Sequence, residues 1–212
     1  MSAASPQRVA SCRLSTGVGW GREAGVDRTN AGLVDESVVG ELLRAQGGVV
    51  SRRQLRALEV TDSEIERKLR RREWARVHPG VYVEHTGPLT WKQRACAAVL
   101  FYAPAALAGS SALRAANLRG HGQADTAPIR ICVDAARTVR SRSGIVVERI
   151  NDWEARTQAH LSPPRQRLEH ALVCAASAKA SEDAAVAVLA DAVQQGRTTP
   201  GRLALASSSL RA

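Results

Sequence analysis

The stretch "SRRQLRALEVTDSEIERKLRRREWARVHPGVY", residues 51–82, contains the same helix-start pattern twice, with the second start ten residues after the first. Ser51 and Gln54 have the spacing of a capping box, in which each side chain bonds the backbone N–H of the other residue. Thr61 and Glu64 have the same spacing. Apolar residues stand at the hydrophobic-staple positions around each box, namely Val50 with Leu55 and Val60 with Ile65. The pattern therefore predicts two short helices in succession.

These helices should span about 52–58 and 62–72, with a turn of about three residues between them. A further helix is predicted before them, because Val38 with Leu42 and Val39 with Leu43 are i, i+4 apolar pairs, and Gly47-Gly48 then ends it. Three helices in this order are typical of a helix-turn-helix.

A β-hairpin should follow the third helix. "WARV" and "VYVE" flank His78-Pro79-Gly80, where Pro and Gly occupy the positions that a type II turn favours. A strand, a turn and a strand after a helix-turn-helix are typical of the wing of a winged helix. We therefore predict a winged helix-turn-helix DNA-binding domain over residues 35–85.

The helical wheel predicts a DNA-reading face on the third helix, opposite the buried Ile65 and Leu69. Ser63 and Arg67 are the candidates for base contacts, since arginine can bond guanine with two hydrogen bonds. The other candidates are phosphate contacts on this helix and on the start of the second helix, and wing residues that could contact the flanking DNA backbone or a minor groove. The full set of predicted DNA-binding residues is Arg52, Arg53, Ser63, Arg67, Arg70, Arg71, Arg72, Arg76 and His78.

The alternative for this face is a solvated charge run. Glu64, Glu66 and Glu73 could pair locally with their basic neighbours, and such surface pairs are common. The two capped helices and the hairpin favour the DNA-binding interpretation.

Composition also favours an anionic partner. The 212 residues carry 30 Lys and Arg against 20 Asp and Glu, a formal net charge of +10. The four cysteines lie far apart without metal-ligand spacing, so we expect free thiols in a reducing cytoplasm. Residues 95–113 are uncharged, but Pro104 and many alanines predict two separate helices and no membrane span.

The rest of the chain predicts a mixed domain followed by helices. Residues 1–34 read as a disordered tail. Residues 86–160 should form an α/β domain that contains a helix from Thr90 to about Tyr102, a second at about 110–117, and the strands "IRICV" and "GIVVERI". Residues 161–212 should be helical, with starts at Ser162-Pro163-Pro164, at Ser181 and at Thr199-Pro200. The expected fold class is mainly α with small β, that is, α+β.

A second basic cluster, "RTVRSRSG", joins the two predicted strands at residues 137–144. It could be a solvated hairpin loop, an additional phosphate contact or a surface for an acidic partner.

The sequence favours a protein without enzymatic activity, metal or cofactor. A restriction-type nuclease needs Asp and Glu-x-Lys on adjacent strands. Asp134 and Glu148 imitate that pattern, but Ile150 stands in place of the lysine. Walker, G-x-S-x-G and H-E-x-x-H motifs do not occur.

Three segments carry a family resemblance: "LLRAQGGVVSRRQLRAL", "EWARVHPGVYVEHTGPLTWKQRACAAVL" and "SSALRAANLRG". They resemble actinobacterial proteins with an AbiE-type antitoxin N-terminal domain, over residues 36–205. The resemblance implies a winged helix that represses its own operon, with Arg67, Arg70 and Arg71 as DNA contacts, and a second domain that opposes a nucleotidyltransferase-like toxin. Many such relatives continue into an endonuclease-like domain, and this chain ends before one would begin.

The function expected is that of a cytoplasmic DNA-binding transcriptional regulator, an antitoxin-like repressor. Its partners would be double-stranded DNA, a toxin protein and, in a homodimer, a second copy on half-sites about one helical turn apart. The alternatives are an antitoxin that acts by binding its toxin directly, and a truncated N-terminal part of an endonuclease-like protein.

Overall fold

The structure is a computed structural model that describes residues 36–120 and 124–209. The predicted tail at residues 1–34 lies outside the described residues, as does Cys12. Within the described ranges the chain forms helices and two sheets, and the α+β class is confirmed. No helix in these ranges is both long enough and apolar enough to cross a bilayer.

The N-terminal part builds a small core from the predicted apolar positions. The staple residues Val50, Leu55, Val60 and Ile65 are all buried, together with Trp74 and Tyr82. Its elements are, in order, α1 (Glu36–Ala45), β1 (Val49–Ser51), α2 (Arg52–Ala57), α3 (Asp62–Arg70), β2 (Ala75–His78) and β3 (Val81–Val83).

The three strands of this part form an antiparallel sheet in the order β1-β3-β2. The predicted hairpin is present, and Gly80 has a φ of 72°, as the third residue of a type II turn requires. Strand β1 was not predicted, and it pairs with β3 from Val49 opposite Val83 to Ser51 opposite Val81. The element order is the one expected of a winged helix, and its identification as a DNA-binding winged helix stays a prediction.

Helix α4 (Trp91–Phe101) follows and begins at the predicted cap, where the Gln93 N–H and the Thr90 Oγ1 are 3.2 Å apart. Its residues from 95 to 100 are all buried, so the helix has no solvent-facing side along this stretch. Cys96, Ala97 and Leu100 pack against β1 and β3. Ala95, Ala98 and Val99 pack into the core of the second part.

The second part contains a five-stranded mixed sheet in the order β6-β5-β4-β8-β7. Its elements before the last helices are β4 (Ala106–Leu107), α5 (Gly109–Ala115), β5 (Ile129–Asp134), β6 (Ile145–Ile150), α6 (Trp153–Arg156), β7 (Thr157–Gln158) and β8 (Arg165–Gln166). The uncharged stretch at 95–113 thus contains the end of α4, β4 and most of α5, which confirms two separate helices.

The interpretation of the basic segment between β5 and β6 as a hairpin loop is wrong. The two strands pair in parallel, from Ile129 opposite Ile145 to Asp134 opposite Ile150. Parallel neighbours need a connection that returns across the sheet, whereas a hairpin joins antiparallel strands. Residues 135–144 therefore form a crossover segment.

Three helices complete the described chain: α7 (Leu168–Ser177), α8 (Glu182–Gln194) and α9 (Pro200–Ser208). The predicted starts at Ser181 and Thr199 are correct, and both side chains cap their helices. The predicted start at Ser162-Pro163-Pro164 is wrong. Because Arg165 and Gln166 are drawn into the sheet between β4 and β7, the helix begins only at Leu168.

We expect Ala97→Leu and Ala98→Leu each to lower the free energy of unfolding by about 1–3 kcal/mol, because each adds a large side chain to a filled core. Ala97 packs against the three-stranded sheet, and Ala98 packs into the core of the second part. Both residues are fully buried. Urea unfolding measures the effect.

The matched control is Ala187→Leu, the same substitution at an exposed position of α8. Leucine and alanine differ little in helix propensity, so the control should change stability by less than about 0.5 kcal/mol. Equal effects at the three positions would contradict the packing described for α4.

Candidate nucleic-acid interface

Two capping boxes hold α2 and α3 in place. In the first, the Ser51 N–H donates to Gln54 Oε1 at 3.0 Å and the Gln54 N–H donates to Ser51 Oγ at 3.3 Å. In the second, the Thr61 N–H donates to Glu64 Oε2 at 2.8 Å and the Glu64 N–H donates to Thr61 Oγ1 at 3.3 Å. Both predicted boxes are confirmed. Glu64 is thus occupied by the cap, and its hydrogen bonds with Thr61 lower the pKa of its carboxyl group.

Helix α3 presents Ser63, Arg67 and Arg70 to solvent, while Ile65 is buried beneath it. Positions i, i+4 and i+7 lie along one side of a helix, so the hydroxyl and the two guanidinium groups form one row. Neither Arg67 nor Arg70 makes an ion pair with any residue that the structure describes. The structure thus brings three of the predicted residues together on one exposed face.

Arg71 and Arg72 do not continue that face, because α3 ends at Arg70, two residues earlier than predicted. Arg71 is the C-cap residue, and Arg72 has a left-handed φ of 59°. Arg71 Nη1 lies 3.8 Å from Glu73 Oε1, a weak surface pair. Arg72 is exposed in the turn that leads to β2.

Arg52 is not available as a free phosphate contact, because it is engaged by Asp62. Its Nε donates to Asp62 Oδ1 at 2.8 Å, and its Nη2 lies 2.5 Å from Oδ2. Arg56 Nη2 donates to Asp62 Oδ2 at 2.6 Å. The hydrogen bonds from Arg52 and then Arg56 hold the pKa of Asp62 well below its usual range. Arg53 is exposed and has no carboxylate partner in the described ranges.

The two predicted wing residues both have partners. Arg76 Nη2 lies 3.4 Å from Glu66 Oε1 of α3. The imidazole ring of His78 lies against the ring of Phe101 in α4, with centroids 5.1 Å apart. His78 is therefore part of the contact between the hairpin and α4. Burial, and then the charge of Arg142, lower the pKa of His78 below its ordinary value.

The contacts of two residues near this surface were not predicted, although one of them, Arg142, belongs to the basic cluster noted at residues 137–144. Arg56 was not a candidate. Its signal in the sequence was Asp62, the first residue of the next helix, whose carboxylate is near enough in sequence to pair with it. Arg142 lies beside the hairpin, with its guanidinium 5.1 Å from the Phe101 ring. No pattern in the sequence indicates that contact, since the two residues are 41 positions apart.

The residues considered for nuclease chemistry have other partners. Arg130 Nη2 lies 2.5 Å from Glu148 Oε1, and the Cys174 thiol donates to Glu148 Oε2 at 3.0 Å. Burial, followed by the nearby Glu148 carboxylate, raises the pKa of Cys174 to about 12. Asp134 accepts a hydrogen bond from the Ala136 N–H. Over residues 36–120 and 124–209, no three His, Cys, Asp or Glu side chains are grouped so as to hold a metal ion.

Comparison with known protein families found no family model that matches this chain, and comparison with curated protein sequences found no match.

We expect Arg142→Gln to raise the pKa of His78, because the substitution removes a positive charge beside the imidazole ring while burial against Phe101 remains. The measurement is an NMR titration of the imidazole. Since the folded-state pKa lies below the unfolded value of about 6.5, the unfolded chain takes up this proton first, and the contribution of His78 to stability falls as the pH drops through that value.

Arg149→Gln, at an exposed position of β6, removes the same charge elsewhere and should leave the pKa of His78 unchanged. An unaltered titration in Arg142→Gln would show that the two side chains are not neighbours in solution.

Proposed function

We propose that this chain is a DNA-binding transcriptional regulator, with α3 in the major groove. Ser63 and Arg67 would contact base edges, and Arg70 would contact the DNA backbone or a base near the end of the helix. The resemblance to AbiE-type antitoxins supports repression of its own operon as the biological role. The observation that carries the proposal is the row Ser63, Arg67 and Arg70 on one exposed face of α3.

The geometry of α3 supports this proposal. A recognition helix must expose one side to the groove while its other side stays anchored to the protein. Ile65 anchors α3 in the first core, and the capping box at Thr61 fixes where the helix begins. The arginines on the opposite side can then be aimed at the duplex without loss of core packing.

The charges of this region also support the proposal. Phosphate binding is favoured at cations that do not have to break an ion pair first, since the lost pair partly offsets the new contact. In the described chain no salt bridge is formed by four arginines of this region, namely Arg53, Arg67, Arg70 and Arg72. These four arginines lie on or next to α2 and α3. On a merely solvated face we would instead expect each basic residue to pair with an acidic neighbour.

Three of the other predicted arginines are paired. Arg52, Arg71 and Arg76 each have a carboxylate partner, at 2.5, 3.8 and 3.4 Å. These pairs are exposed, so DNA can compete for them at modest cost, but each should contribute less than an unpaired arginine. We therefore assign them secondary roles at the edge of the interface.

The main test is binding to the DNA upstream of the protein's own gene by Arg67→Ala plus Arg70→Ala. We expect at least tenfold weaker binding at about 0.1 M salt, since a lost base contact costs about 1–3 kcal/mol. If about five phosphates are neutralised, the wild-type log–log salt slope should be about −4 to −5, and the variant slope should be shallower by about 1–2. Gel shifts across a salt series measure both.

The matched control is Arg119→Ala plus Arg149→Ala, which removes two exposed arginines outside this surface. It lowers the net charge equally, so it isolates position from total charge. If the α3 variant binds as tightly as the control at every salt concentration, α3 is not the DNA-contacting helix. Alanine favours helix formation, so unfolding of α3 is not expected to confuse the result.

A second test uses the carboxylate that holds Arg52 and Arg56. Asp62→Asn removes a negative charge from the proposed interface and frees two guanidinium groups. We expect several-fold tighter DNA binding and a salt slope steeper by about 1. Gel shifts under the same conditions provide the measurement.

Asp183→Asn is the control for this second test, because Asp183 also lies in the first turn of a helix, α8, but outside the surface. It should leave DNA binding unchanged. Weaker binding by Asp62→Asn would mean that its carboxylate orients the arginines for DNA rather than withholding them.

A further inference from the structure

The crossover segment, residues 135–144, is fixed to the protein by its own backbone and by one inward-facing arginine. Arg137 Nη1 donates to the carbonyl oxygen of Tyr102 at 2.8 Å and also to that of Pro104. Tyr102 Oη donates to the carbonyl oxygen of Arg140 at 2.6 Å. Val139 packs against the second core. The segment is therefore held against the end of α4, and Arg137 is used for that attachment.

The next two arginines of the segment face solvent. Arg140 and Arg142 are exposed, and so are Ser141 and Ser143 between and after them. Neither arginine makes an ion pair with a residue in the described ranges. Both guanidinium groups can thus bind an external anion without leaving a carboxylate, in contrast to Arg52 and Arg76.

The position of Arg142 connects this segment to the hairpin. Its guanidinium lies 5.1 Å from the Phe101 ring, and His78 at the end of β2 lies against the same ring. Strand β2 begins shortly after α3, and Arg76 within it pairs with Glu66 of α3. The structure therefore provides a continuous path from the exposed face of α3, along β2, to Arg142.

The length of β2 can be compared with the spacing of phosphates along DNA. From residue 75 to residue 78, β2 advances about 10 Å, at about 3.3 Å per residue. Along one DNA strand a phosphate occurs about every 3.4 Å of helix axis. The end of β2, where His78 lies against Phe101 beside Arg142, is thus displaced from the start of the strand by a distance equivalent to about three base pairs.

We propose that Arg140 and Arg142 of the crossover segment bind the phosphate backbone of the same DNA duplex, beyond the hairpin and a few base pairs away from the site that α3 contacts. This inference rests on the proposed DNA-binding function. It makes the second part of the chain a direct contributor to the interface. The contacts are to phosphates, so they add affinity without base preference.

The test is DNA binding by Arg140→Ala plus Arg142→Ala across a salt series. Loss of two phosphate contacts should make the log–log salt slope shallower by about 2, with about 3- to 30-fold weaker binding at about 0.1 M salt. The control is again Arg119→Ala plus Arg149→Ala, which should retain the wild-type slope. Trimming the duplex stepwise from each end should identify one end whose removal weakens the wild type and abolishes its difference from the variant.

Three further results separate this inference from the function on which it rests. If Arg67→Ala plus Arg70→Ala loses binding while the crossover variant matches the control, the inference is wrong and the proposed function stands. If neither variant differs from the control, both are wrong. If the crossover variant binds DNA like the wild type but loses an acidic protein partner, the segment serves that partner and the inference is again wrong.

A single substitution guards against misfolding of the double variant. Arg142 contacts Phe101, whereas the side chain of Arg140 is exposed and only its backbone carbonyl is bonded. Arg140→Glu should therefore fold like the wild type in thermal unfolding and still weaken DNA binding at least fivefold at about 0.1 M salt. Unchanged binding by Arg140→Glu would overturn the inference for that residue.

Discussion

The burial of α4 is the packing constraint on which the rest of the fold depends. Cys96, Ala97 and Leu100 close the core beneath the first sheet, while Ala98 and Val99 form part of the larger core. Small side chains allow both cores to approach the helix axis closely. The predicted boundary between residues 85 and 86 therefore precedes a helix that both parts share. The surface of α3 is attached through α4 to the sheet and helices that follow.

Local signals in the sequence predicted the first part of the structure well. The capping boxes at Ser51 and Thr61, their staples and the turn at Gly80 each depend on residues within about five positions of one another. The row Ser63, Arg67 and Arg70 could be predicted for the same reason, since helix period and one buried residue determine which side faces outward.

The errors arose where pairing between distant segments determines the structure. Alternation and β-branched residues identify a strand but not its direction, so residues 129–134 and 145–150 could equally have formed a hairpin or the parallel pair observed. The cap and prolines at 162–164 predicted a helix, but β4 and β7 provide backbone partners for residues 165–166. The pair of Arg52 with Asp62 was missed likewise, because the two residues lie ten positions apart in sequence and 2.5 Å apart in space. The predicted pairing of Glu66 and Glu73 with basic neighbours is present.

Ion pairing also explains why the net charge of +10 overstates what this surface can offer to DNA. Arg52 and Arg56 share Asp62, and Arg76 faces Glu66, whereas Arg67, Arg70, Arg140 and Arg142 have no carboxylate partner in the described chain. An arginine that must leave a carboxylate exchanges one anion for another, and the freed carboxylate then repels the phosphates. In the proposed complex the slope of log affinity against log salt concentration should therefore reflect the number of unpaired arginines, and not all the basic residues of α2, α3 and the hairpin. In that proposed complex the acidic residues would thus determine which arginines contact DNA, and they favour the face of α3 and the crossover segment over Arg52 and Arg56 of α2.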